Sequence, residues 1–257
     1  MNYSICSYSF RRMVEAGHMD IFGYISWNKE NGFTQLDPWM KHLEAGYEDD
    51  EFLDQVKAAA HKVELPIGCV AVDGAHIYEP TVEARAANRE RAYRWIDITS
   101  YIGGAQVRID AGGREQTLDE IFDIVVEGYN ELIDYASKRN VEVIIENHWG
   151  PTKHPDNLVL VLEAVDGLGL LFDSNNWAEG TQEYAWGKCA QYARLTHMKT
   201  FEFDANGYEA TVDIPKCMQE LLNAGYDGTW GIESCPREIS ETDGALKTLA
   251  LMKSVLE

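Results

Sequence analysis

Basic residues are scarce in this sequence, and long apolar runs are missing altogether. Lys and Arg number 22 against 43 Asp and Glu, a formal net charge of −21. A field of that sign repels phosphate backbones and anionic lipid surfaces, and no local basic cluster reverses it, so neither nucleic acid nor membrane is an expected partner. No stretch approaches the roughly 20 consecutive apolar residues that cross a bilayer. The opening MNYSICSYSF has no basic segment followed by an apolar one, and a cytoplasmic protein is expected. Five cysteines are scattered without a C-x-x-C pair, which excludes a zinc ribbon and an obvious disulfide framework and leaves packed, reduced thiols. Neither G-x-G-x-x-G nor G-x-x-x-x-G-K-[ST] occurs, so nothing in the sequence argues for a nucleotide fold.

What is present is a steady alternation. Short runs rich in β-branched residues are followed by longer segments of helical period, the pattern of βα units around a parallel sheet. Eight strands are read, at 3–7, 33–36, 67–72, 105–109, 141–146, 168–173, 195–199 and 229–233. Helices are expected near 19–30, 50–63, 81–99, 117–140, 155–165, 181–192, 214–224 and 241–256. Thr117 to Glu120 reads as a capping box ahead of an amphipathic run through Ile121, Val125, Tyr129 and Leu132. At 257 residues with no linker, the expectation is an α/β fold, a (β/α)8 TIM barrel, with residues 1–257 forming a single domain.

The last four strands each finish in a side chain able to bind a metal: Ile145-Glu146, Phe172-Asp173, Thr196-His197 and Ile232-Glu233. Strand C-termini converge on one face of such a barrel, so residues remote in sequence would meet there. One strand-end carboxylate alone is more often a helix cap or a salt-bridge partner. Three together with an imidazole form an O3N set for one divalent ion such as Mn2+, Mg2+, Co2+ or Zn2+. About one net negative charge would remain, which favours a neutral sugar over a phosphorylated one.

The segments Ile144-Ile145-Glu146-Asn147-His148, Leu171-Phe172-Asp173, Leu195-Thr196-His197-Met198-Lys199 and Trp230-Gly231-Ile232-Glu233 resemble the xylose isomerase-like TIM-barrel superfamily, in its sugar phosphate isomerase/epimerase branch. The resemblance covers essentially the whole chain. It implies that Glu146, Asp173, His197 and Glu233 bind a divalent metal, often manganese, and that the two glutamates move the substrate proton. Asn176 stands where the ketose 3-epimerases carry a histidine, and their arginine after the strand-seven histidine has no clear counterpart. An AP-endonuclease-like role would need further histidine ligands, whereas strands three and four end near Asp73 and Asp110.

The expected reaction is proton abstraction next to a carbonyl through an enediolate, by a sugar isomerase or epimerase acting on a small sugar or polyol. A lyase or dehydratase that expels a β-substituent from a keto-glycoside or inosose shares every early step. Candidate catalytic residues are Glu146, Glu233, His148 and Lys199; Arg108, Trp149, Asn176 and Trp177 are candidate substrate contacts. Against these stand plainer readings: a histidine that merely orients Glu146, a solvated lysine, packing aromatics and a structural Arg108 salt bridge. A noncatalytic sugar-binding barrel is the reading from another class, and homo-oligomers are common among such enzymes.

Overall fold

A computed structural model describes residues Met1–Glu257. The elements, in order, are β1 (Tyr3–Ile5), α1 (Arg11–Glu15), α2 (Ile21–Glu30), α3 (Met40–Leu43), α4 (Asp50–Lys62), β2 (Cys69–Val72), α5 (Val82–Tyr101), β3 (Gln106–Ile109), α6 (Leu118–Ser137), β4 (Glu142–Glu146), α7 (Pro155–Ala164), β5 (Gly169–Asp173), α8 (Gln182–Cys189), β6 (Ala193–Thr200), α9 (Ile214–Asn223), β7 (Trp230–Ser234) and α10 (Glu241–Leu256). Every strand pairs in parallel, in the order β1-β7-β6-β5-β4-β3-β2. The strands are almost wholly buried, as a sheet covered by helices requires. No helix is long and apolar enough to cross a membrane.

Helix boundaries follow local chemistry. Thr117 donates its backbone N–H to Glu120 Oε2 at 2.8 Å, the expected capping box, and α6 buries Ile121, Val125, Tyr129 and Leu132 on one face. Asp213 and Ser240 cap α9 and α10 by accepting the N–H of Lys216 and Asp243. The inward faces form one continuous apolar core in which Trp95, Trp186, Trp230 and Tyr129 are fully enclosed. All five cysteines are free and buried.

Seven strands form rather than eight. The second expected strand, 33–36, is an irregular segment joined by single bridges on both sides: Cys6 with Asp37, Leu36 with Ile67, and Trp39 with Ala71. Ser7 donates its N–H to Asp37 O and Ala71 to Pro38 O, so the segment links the β1 and β2 edges and the sheet curls round on itself. The reason lies in Asp37-Pro38. Proline has no N–H to give a ladder, and the buried Asp37 carboxylate accepts the Cys69 N–H at 2.9 Å, replacing a backbone bond with a side-chain one.

Candidate metal centre

The sheet brings four distant residues to one place. Glu146 and Asp173 are the last residues of β4 and β5; Asp173 is in register with His197 on β6, and Lys199 with Glu233 on β7. Possible ligand atoms of Glu146, Asp173, His197 and Glu233 all lie within 4.8 Å of one another, and all four residues are buried. His197 Nδ1 stands 3.0 Å from Glu233 Oε2 and 3.4 Å from Glu146 Oε1.

Three buried atoms here have no hydrogen-bond partner: Glu146 Oε2, Asp173 Oδ2 and His197 Nδ1. An unsatisfied buried polar atom costs about 1–3 kcal/mol; charged neighbours lie close to these three, Arg108, Lys199 and Glu233, but none closes a well-formed hydrogen bond with them, which leaves room for a shared partner. A divalent cation fits: the donor set is three carboxylates and one imidazole, and the orphaned atoms belong to three of the four side chains.

Neighbouring groups hold these side chains in place. Asp173 Oδ1 accepts the N–H groups of Asn175 (2.7 Å) and Asn176 (2.9 Å), which leaves Oδ2 free. Asn176 Nδ2 donates to Glu146 Oε1 at 3.2 Å, and its Oδ1 accepts from Lys199 Nζ at 3.1 Å. Lys199 Nζ lies 2.7 Å from Glu233 Oε1 and 3.5 Å from Asp173 Oδ2.

Electrostatics divide the carboxylates. Burial and the nearby Glu233 and Glu146 charges push Asp173 up to about 6, against the pull of Lys199. For Glu233, burial acts upward, but Lys199 and His197 outweigh it and hold the carboxyl well below the usual range. Glu146 is also lowered, since His148 and Arg108 overcome its burial. Burial opposes the charged forms of Lys199 and His197, yet the surrounding anions raise both well above their ordinary values.

A second group, Asp110, Glu146 and His148, also has ligand atoms within 4.8 Å of each other. It already holds a cation. The buried Arg108 guanidinium lies 3.0 Å from Asp110 Oδ2, 3.1 Å from Asp73 Oδ1 and 3.2 Å from Glu146 Oε2, and also donates to Val72 O. This geometry supports one metal rather than two. His148 Nδ1 sits 2.9 Å from Asp110 Oδ2 and 3.9 Å from Glu146 Oε2.

The remaining expected residues separate into two groups. Arg108, His148, Trp149, Lys199 and Glu233 line a cavity of about 110 Å3 at the C-terminal ends of the strands. Trp177 instead is only 7% exposed, packs edge-on against Phe172 and belongs to the core. Three residues at the site escaped the sequence reading. Tyr8 and Cys6 reach the cavity from the turn after β1, and Asn147 brackets Asp173.

The same fold recurs among solved structures. No curated protein sequence matches the chain. Among solved structures, the IOLI protein with a bound zinc atom is similar over 99% of this chain and 98% of its own, with a TM-score of 0.82 at 14% identity. D-psicose 3-epimerase from Clostridium cellulolyticum H10, solved with D-tagatose, matches over all of both chains with a TM-score of 0.79 at 15% identity. The probable 3-DHS dehydratase AsbF from Bacillus anthracis matches over 100% of this chain and 99% of its own, with a TM-score of 0.75 at 17% identity. At these identities the likeness shows a shared fold. The model of the xylose isomerase-like TIM-barrel family matches residues 25–255, and the chain belongs to that family.

Proposed function

We propose that this protein is a divalent-metal-dependent sugar isomerase or epimerase, working by proton abstraction next to a carbonyl. The observation that carries the proposal is the convergence of Glu146, Asp173, His197 and Glu233, with orphaned donor atoms, beside a cavity lined by His148 and Lys199. Those four residues would hold one ion, with Mn2+ the first candidate and Mg2+, Co2+ or Zn2+ the alternatives. When bound, the ion polarises the substrate carbonyl and stabilises enediolate charge.

The chain's own groups supply the proton chemistry. Glu233, held ionised by Lys199, is the first candidate base. Glu146, also held ionised and facing His148, is the second acid/base. Asp110 fixes His148 through Nδ1, which leaves Nε2 as the proton-carrying nitrogen toward substrate. The Lys199 ammonium opposes negative charge developing on a substrate oxygen beside Glu233. Arg108 is committed to three carboxylates, so its effect on substrate is electrostatic as well as steric. Asn176, placed between Glu146 and Lys199, aligns both. With no free arginine in the described cavity lining, a neutral sugar or polyol is favoured over a phosphorylated one.

The decisive experiment is deuterium incorporation from D2O into a panel of neutral ketoses, keto-glycosides and inososes by Mn2+-loaded protein. Metal-dependent exchange, lost in Glu146→Gln and Glu233→Gln, is expected. No exchange with any compound, together with no bound metal by elemental analysis, would sink the proposal. A lyase that expels a β-substituent from the same enediolate is the second reading, supported by the similarity to a probable dehydratase; the exchange products separate the two.

A further inference from the structure

The mouth cavity, about 110 Å3, lies below the roughly 300–1,000 Å3 of ordinary small-molecule sites. A second cavity of about 340 Å3 shares one wall with it, Trp149. This second cavity is built from the loops that follow β2, β3 and β4, so it opens on the same face of the sheet as the metal cluster.

Its walls are firmly constructed. Ile77 and Tyr78 donate their N–H groups to Asp110 O and Ala111 O, so parallel pairing resumes beyond the ends of β2 and β3 in a new register. Gly112 and Gly150, both at positive φ, allow an approach that no other residue permits. A Cβ at Gly112 would lie 2.4 Å from Tyr78 O, and one at Gly150 would lie 2.6 Å from Gly112 O.

The lining chemistry is that of a polyhydroxylated ring. The Arg114 guanidinium stacks on Trp149, 3.6 Å from its ring centroid, so the cavity is met by the donors of Arg114 laid over the indole. His76 adds a buried Nδ1 with no hydrogen-bond partner. Glu79 and Gln116 add acceptors and an amide. Carboxylates beside the single Arg114 disfavour an anionic ligand and suit neutral hydroxyl groups.

We infer that the site is bipartite, and that the preferred substrate is a glycoside whose reacting ring, the one that carries the carbonyl, sits at the mouth cavity while its second sugar ring occupies the cavity of His76, Glu79, Arg114, Gln116 and Trp149. The inference rests on the proposed function for the position of the reacting ring. Trp149 is then the contact shared by both rings.

The test is saturation-transfer NMR and titration of Mn2+-loaded protein with maltose, cellobiose and lactose, each beside the methyl glycosides of glucose and galactose. At least one disaccharide should bind 10-fold or more tightly than the matching methyl glycoside, with saturation on both rings. Gln116→Trp, which fills the second cavity, and Arg114→Ala, which removes its main donor, should erase that advantage and leave methyl glycoside binding unchanged. No gain for any disaccharide, or a gain that survives both variants, overturns the inference. Deuterium exchange into small ketoses reads the proposed function separately: exchange intact with no disaccharide advantage removes only the second subsite.

Discussion

Asn147 and Asp173 exchange two hydrogen bonds across neighbouring strands, Asn147 Nδ2 donating to Asp173 O at 3.0 Å and Asp173 N–H donating to Asn147 Oδ1 at 2.8 Å. Both residues are fully buried. The amide thus stands in for a peptide group at the point where the sheet hands over to its loops, and it fixes the backbone that carries a carboxylate of the proposed ligand set. Asn147→Leu would orphan both Asp173 backbone groups, at about 2–6 kcal/mol in total. Urea denaturation should show that loss, and Mn2+ affinity should fall with it. Unchanged affinity in a destabilised variant would mean that Asp173 keeps its position without the bracket.

Lys199 competes with the expected ion for the same oxygens, Glu233 Oε1 and Asp173 Oδ2. Lys199→Met leaves buried carboxylates without their partner, and breaking such a pair costs about 3–5 kcal/mol. The metal-free protein should therefore lose most of its stability margin, and Mn2+ should restore a large part. Mn2+ affinity measured by titration should hold or rise, while substrate exchange falls at least 10-fold. A variant with weaker Mn2+ binding would show instead that the lysine shapes the ligand set.

Both residues bear on how far the sequence could be read. The four residues of the proposed ligand set were legible because a polar side chain after Ile-Ile, Leu-Phe, Leu-Thr or Gly-Ile is conspicuous in strands that are otherwise almost wholly buried; Glu146 and Asp173 do close β4 and β5, whereas β6 runs three residues beyond His197 and β7 one beyond Glu233. Asn147 was not, because its role is a bond to a backbone 26 residues away, which no local pattern encodes. The missing strand had a local cause in Pro38, but the compensating bond from Cys69 to Asp37 is again long-range. Trp177 follows a strand end as Trp149 does; which of the two turns inward is decided by Phe172 packing beneath Trp177. The cavity beside Trp149 was invisible for the same reason, since three separate loops build it.

Acid sensitivity should trace in part to His42, a buried ring outside the proposed ligand set. The Trp39 N–H donates to Ser7 Oγ at 2.7 Å, so the Ser7 hydroxyl can give its own proton to His42 Nδ1, also 2.7 Å away, and the ring is held neutral. Burial pushes its pKa down to about 4. An unfolded histidine titrates near 6.5, so between those values the unfolded chain takes up a proton that the folded one refuses. Stability is then full above about pH 6.5 and declines as the pH falls toward 4, by about 3 kcal/mol at most from this residue. His42→Gln should be less stable than wild type at pH 7.5 and close the gap by pH 4. Parallel stability curves from urea titrations at each pH would rule His42 out.

Metal removal separates ligands from proton carriers. An ion present at 100 times its dissociation constant stabilises the folded state by about 2.7 kcal/mol, which for a chain of this size is about 5–10 °C in Tm. Chelation should lower the Tm by that amount and readdition of Mn2+ restore it. Asp173→Asn, Glu146→Gln and Glu233→Gln should each flatten the response, because each removes an anionic donor from a set of four. His148→Ala should keep the full thermal response to Mn2+ yet lose exchange into substrate, because its imidazole is tied to Asp110 rather than to the ligand cluster. If His148→Ala also abolished the thermal response, Asp110, Glu146 and His148 would have to be counted among the ligands, and Arg108 would no longer suffice as the cation of that group.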